Sequence, residues 1–172
     1  MQAIHEDLEQ ELGARWQPYL VGTGSLFPTG ATLRFLLANA NAEEYSNAQI
    51  DDYQGLPRRR YRWRPPLTMR VRARFSHPAQ ALRGTAGFGF WNDPFLMTEP
   101  RMPTLPRSVW FFHASQPSNI KLDLGVPGWG WKAAVIDALR PVALPLALVA
   151  LPAMLAMNVP AVYRRIWPFF QR

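Results

Sequence analysis

The sequence predicts an all-β protein, an antiparallel β-sandwich, and three observations carry that expectation. Apolar and polar side chains alternate over residues 67–76 with a period of two, the mark of a strand buried on one face. Further strand-length runs are separated by connections rich in proline and glycine. Helical patterns are confined to the two ends of the chain. At 172 residues, 48% of them apolar, the chain is long enough for one domain with a real core.

In chain order, Ile4, Leu8 and Leu12 recur at helical spacing with acids between them and Gly13 as a stop, which predicts a short N-terminal helix. Ala31–Ala38 carries Leu33, Phe35 and Leu37 on alternate positions, and Glu44–Tyr53 forms a weaker strand around Tyr45 and Ile50. In Leu67–Ser76, residues Leu67, Met69, Val71, Ala73 and Phe75 face one way, and Thr68, Arg70, Arg72, Arg74 and Ser76 the other. Gly84–Asn92 and Ser108–Ser115 are two more strands, the second almost wholly apolar. The organisation expected is a helix and lead-in over 1–30, a sandwich over 31–132 and an apolar helical segment over 133–172.

The last segment holds 23 residues without a charge, Pro141–Tyr163, followed by the basic and aromatic flank Arg164, Arg165 and Trp167. That length would just cross a hydrocarbon core of roughly 30 Å. Pro141, Pro145, Pro152 and Pro160 interrupt it and count against a continuous span. A buried helical hairpin and a surface-lying segment fit the pattern as well. The first residues are acidic and lack the apolar run of a secretory leader, which places the expected location in the cytoplasm or at the cytoplasmic face of a membrane.

Composition narrows the chemistry. No cysteine is present, which removes disulfides, thiolate catalysis and cysteine-based zinc sites. His5, His77 and His113 lie far apart, so neither a metal nor another cofactor is implied. The net charge of +7 comes from 17 arginines and two lysines against 12 acids. It concentrates in Arg58, Arg59, Arg60, Arg62 and Arg64, interleaved with Tyr61 and Trp63. A solvated strand edge explains such a run most simply. Contact with anionic lipid comes next. Nucleic acid comes last, because no recognised nucleic-acid module accompanies the run.

The succession Leu33-Arg34-Phe35, Tyr45-Ser46-Asn47-Ala48-Gln49-Ile50, the alternating arginine strand and Gly87-Phe88-Gly89-Phe90-Trp91 resembles the opening strands of the concanavalin A-like lectin/glucanase superfamily. Within it, the laminarinase-type, family 16 glycoside hydrolases are most similar. The resemblance covers residues 31–131 and implies a jelly roll whose Gly-Phe-Trp turn lines a sugar cleft. Such sandwiches continue through further strands, so an incomplete sheet and a partner chain completing its edge are expected.

The hydrolases of that family carry Glu-x-Asp-x-(x)-Glu on the following strand, where retaining chemistry needs two carboxyls about 5 Å apart. Here Ser108–Ser115 holds no carboxylate. Asp93 and Glu99 stand six residues apart around Pro94, and Glu9 and Glu11 belong to the N-terminal helix. The leading expectation is therefore a carbohydrate- or glycolipid-binding protein. A β-glucan hydrolase using Asp93 or Glu99 with Asp123 or Asp137 is the first alternative, and a membrane-attached scaffold the second.

For the sugar site, Trp91 would stack on a pyranose ring and Asn92 and Asp93 would bond its hydroxyls, with His113 and Trp129 lining the cleft. Most of Phe88, Phe90, Phe111 and Phe112 are expected in the core. Gly125–Lys132 reads as a loop displaying Trp129 and Trp131. The glycines alternating with Phe88 and Phe90 signal a bend, or a close approach by a ligand or another backbone.

Overall fold

The computed structural model describes residues 12–30, 32–41, 44–94, 104–118, 120, 121, 123 and 125–143, with single positions at 145, 148, 152, 161, 162 and 165. The chain divides into two compact units, Met1–Pro65 and Pro66–Arg172. Every strand pairing among the described residues is antiparallel, in sheets of two, two and three strands.

In the first unit, β1 (Gln17–Val21) pairs with β4 (Asn47–Asp51), from Gln17 opposite Asp51 to Val21 opposite Asn47. The hairpin of β2 (Gly24–Pro28) and β3 (Leu33–Leu37) forms the other small sheet. Gly22 turns the chain from β1 to β2 at φ 58°, and a Cβ there would meet Ser46 Oγ at 2.6 Å. Asp51 closes β4 and is 5% exposed. Its Oδ1 accepts from the Tyr53 and Gln54 amides at 3.3 and 3.2 Å, and its Oδ2 from Gln54 Nε2 at 2.9 Å. The same Gln54 side chain donates to Gln17 O at 3.3 Å and so ties this turn to β1. Burial pushes the Asp51 carboxyl up from its ordinary pKa, and these hydrogen bonds hold part of the rise down.

In the second unit, β5 (Thr85–Trp91), β6 (Arg107–Ala114) and β7 (Gly130–Asp137) form one sheet with β6 in the centre. Gly87 stands opposite Phe112 and Gly89 opposite Trp110. A Cβ on Gly87 would run into the Phe112 Cβ and the Phe111 carbonyl, and one on Gly89 into the Val109 carbonyl. The glycines therefore serve a close approach by the neighbouring backbone. Phe112 is fully buried and forms the core with Ala114 and Ala134, joined by Trp110 and Ile120. The Trp110 and Phe112 rings stack with centroids 3.9 Å apart. At one end of the sheet, Arg107 faces Asp137 across the β6–β7 ladder and pairs with it at 3.3 Å.

The antiparallel, strand-rich character matches expectation, as do β3, β4, β5 and β6 to within a few residues at their ends. The alternating segment 67–76 departs from it: no strand forms there. Its odd-numbered residues Val71, Ala73 and Phe75 nonetheless border one groove with Phe88, Phe111 and Trp131, and Arg70, Arg72 and Arg74 are exposed. Period-two alternation reports a two-faced extended chain, whereas a strand is defined by ladder hydrogen bonds to a neighbour, which alternation does not specify.

β1 and β2 lie in the stretch expected to be helix and lead-in, and β7 runs across the expected boundary at residue 132. The N-terminal helix falls on residues 1–11, outside the described residues, and Leu12 and Gly13 are irregular. Of the apolar segment, Pro141–Ala143 forms a 3-10 turn, and most positions beyond Ala143 lie outside the described residues. Among the described residues no helix is long and apolar enough to cross a membrane.

Gly87→Ala should force β5 and β6 apart and cost about 1–3 kcal/mol of stability, read as a lower melting temperature. For Asp51, a folded-state pKa above the unfolded one means that the folded chain holds the proton more tightly. That contribution is fully present below the ordinary value of 3.8 and is lost as pH rises through the raised pKa. Urea melts should thus show wild type losing stability relative to Asp51→Asn across this window, with a constant difference above it.

Candidate ligand-binding surface

β5 and β6 bring Phe88 and Phe111 side by side on the sheet face opposite Phe112, with ring centroids 5.5 Å apart. On β7, Trp131 continues the row: its ring lies 5.4 Å from Phe111, nearly parallel at 18°. Phe75 meets the Trp131 ring edge-on at 5.2 Å, and His113, its ladder partner, at 5.2 Å. Val71, Ala73 and Phe75 border an open groove of about 350 Å³ over this row. Phe111 is 42% and Trp131 46% exposed, so the row is only partly covered.

Trp131 also borders a second groove, of about 530 Å³, that follows β7 through Ile136. Trp129, 44% exposed, stands at its mouth with Val126 and Pro127. Asp123 and Lys132 supply its charged groups. Asp123 Oδ1 accepts from the Gly125 amide at 2.8 Å, and Lys132 Nζ donates to the Trp129 carbonyl at 2.7 Å, which fixes the loop bearing Trp129. Gly130, at φ 93°, turns this loop into β7. Two exposed indoles beside a carboxylate and an ammonium can stack on an apolar ring face and bond hydroxyls at its rim.

The residues expected to form one sugar site do not come together. Trp91 pairs with Ser108 and His113 with Trp131, five residues further along β6, which is about 17 Å at strand rise. Trp91, Asn92 and Asp93 thus sit at one end of the sheet, His113 and Trp129 at the other. Asn92 is engaged by backbone: its Nδ2 donates to Leu105 O and its Oδ1 accepts from the Arg107 amide, both at 2.9 Å. Asp93 is fully buried with a left-handed backbone, φ 46°. Asn and Asp tolerate that conformation better than most residues, and Asn-Asp-Pro after a strand is a turn signal. His113 is 4% exposed.

The carboxylates of the hydrolase alternative are dispersed as well. Asp137 pairs with Arg107, Glu99 lies outside the described residues, and Asp123 is the one carboxylate among the described residues bordering the β7 groove. No group of three or more histidine, aspartate or glutamate side chains is placed to hold a metal among the described residues.

The arginine run lies in the other unit. It forms a 3-10 turn over Arg58–Arg60 and an irregular stretch beyond, instead of a strand edge. Arg59, Arg60, Arg62 and Arg64 are exposed and Arg58 is half-buried. Arg165 is exposed, whereas Arg164 and Trp167 lie outside the described residues.

No protein-family model matches the chain, and neither a curated protein nor a solved structure matches it. Trp131, expected in a loop beside Trp129, is a residue of β7, and the β7 groove escapes sequence reasoning because residues 133 onward read as a helical segment. The signal available is the aromatic Trp131 with the β-branched pair Val135-Ile136.

If Asn92 acts as a clamp for the β5–β6 connection, Asn92→Ala should cost about 1–2 kcal/mol in thermal melts, because it strands a backbone donor and acceptor.

Proposed function

We propose that the chain is a carbohydrate-binding β protein that holds its sugar at the Trp129–Trp131 end of the three-stranded sheet. The observation that carries this reading is the pair of half-exposed indoles bordering the β7 groove next to Asp123 and Lys132. Aromatic faces suit the apolar face of a pyranose, and the two charged groups can bond its hydroxyls. The resemblance of residues 31–131 to the lectin/glucanase sandwiches favours the same ligand class, and the sandwich architecture is part of the proposal. Binding without hydrolysis is favoured, because β6 carries no carboxylate and no second described carboxylate joins Asp123 in the groove. The glycan would be free or borne on a lipid.

Calorimetric titration with β-glucan oligosaccharides tests the reading, preceded by a glycan array to choose the ligand. Trp129→Ala should weaken binding about tenfold or more. Trp131→Ala should weaken it further, with the melting temperature followed in parallel because Trp131 also packs on Phe75 and Phe111. Wild-type affinity in both variants would overturn the assignment.

A further inference from the structure

The loop Pro57–Arg64 carries five positive charges and no acid in eight residues. Its form is set by aromatic anchors and main-chain bonds. The 3-10 turn is closed by the Arg60 amide on Pro57 O at 2.7 Å and the Tyr61 amide on Arg58 O at 3.1 Å. The Tyr61 ring lies 5.0 Å from that of buried Tyr53. Trp63 Nε1 donates to Asp52 Oδ2 at 2.6 Å. The Arg64 guanidinium straps the loop to itself, donating to Trp63 O at 2.9 Å and Arg59 O at 3.1 Å. Both aromatics are held half-buried while Arg59, Arg60 and Arg62 stay exposed. None of these three arginines makes an ion pair with a described residue.

We propose that this loop docks the chain on an anionic membrane, its guanidinium groups meeting the phosphates and carboxylates of lipid headgroups. A polybasic segment needs only accessible charge for this, worth roughly fivefold in partitioning for each arginine near the surface. Single-stranded nucleic acid would in addition need free aromatic faces to stack its bases. Here Tyr61 rests against the buried Tyr53 ring, and both aromatics of the run are half-buried. The same chain also carries the 23-residue uncharged stretch Pro141–Tyr163 with Arg164 and Arg165 behind it, a composition suited to a lipid interface.

Sedimentation of the full chain with phosphatidylcholine vesicles, with and without phosphatidylserine, tests the proposal. These vesicles hold no glycan, so the outcome is separate from sugar binding. Wild type should bind the phosphatidylserine vesicles preferentially and release them as salt is raised. The triple variant Arg59→Gln/Arg60→Gln/Arg62→Gln should partition about 100-fold less well, and the corresponding triple lysine variant should retain most of the binding. Binding by the glutamine variant at wild-type strength would sink the idea. So would wild-type indifference to phosphatidylserine, capture of single-stranded DNA in place of vesicles, or release by inorganic phosphate at constant ionic strength.

Discussion

The second unit depends on how closely β5 approaches β6 at Gly87 and Gly89. A side chain at either position would push the two backbones apart. With none there, Phe112 and Trp110 occupy one side of the sheet as a stacked, largely dry pair beside Ala114 and Ala134. Such burial supplies most of the favourable free energy available to a sheet this small. It also fixes the register, because slipping by one residue would send Phe112 to the other face. The opposite face then inherits Phe88, Phe111 and Trp131, which the segment at 71–75 only partly shields. An open aromatic surface is thus the other side of a tight core pairing.

Polar residues in both units are largely committed to holding backbone in place. Asn92 uses both ends of its amide on the chain entering β6. Asp51 collects two amide protons and the Gln54 side chain at a buried turn. Asp52 takes the Trp63 indole proton and thereby directs the arginine loop. A buried or half-buried polar group without a partner costs about 1–3 kcal/mol, so short polar side chains beside turns are used first for architecture. Even the charged groups at the Trp129–Trp131 groove follow this rule, Asp123 accepting from the Gly125 amide and Lys132 donating to the Trp129 carbonyl.

The strands at 33–37, 47–51, 85–91 and 107–114 are legible in the sequence, because alternation and flanking glycine or proline are local properties. β1, β2 and β7 are hidden in it. Gln17–Val21 contains Pro18, and Gly24–Pro28 begins with glycine and ends with proline, residues that read as turns, while Lys132-Ala133-Ala134 separates the aromatic and β-branched residues of β7. In 67–76 the alternation does mark a two-faced chain, but pairing does not follow from it. Of the candidate site residues, Trp129 and His113 fall at the sheet end that holds the groove, and Trp91, Asn92 and Asp93 at the far end.

What the chain determines by its residues alone is local and compositional: strand-forming runs, the absence of thiol chemistry, a positive loop, and glycines where bulk is forbidden. Tertiary structure decided what those glycines admit and which aromatic residues remain in contact with water. Phe111 and Phe112 are neighbours of identical chemistry, yet one is fully buried and the other 42% exposed. Adjacent strand residues point to opposite faces, and only the assembly of β5, β6 and β7 with the segment beside them determines which face is covered.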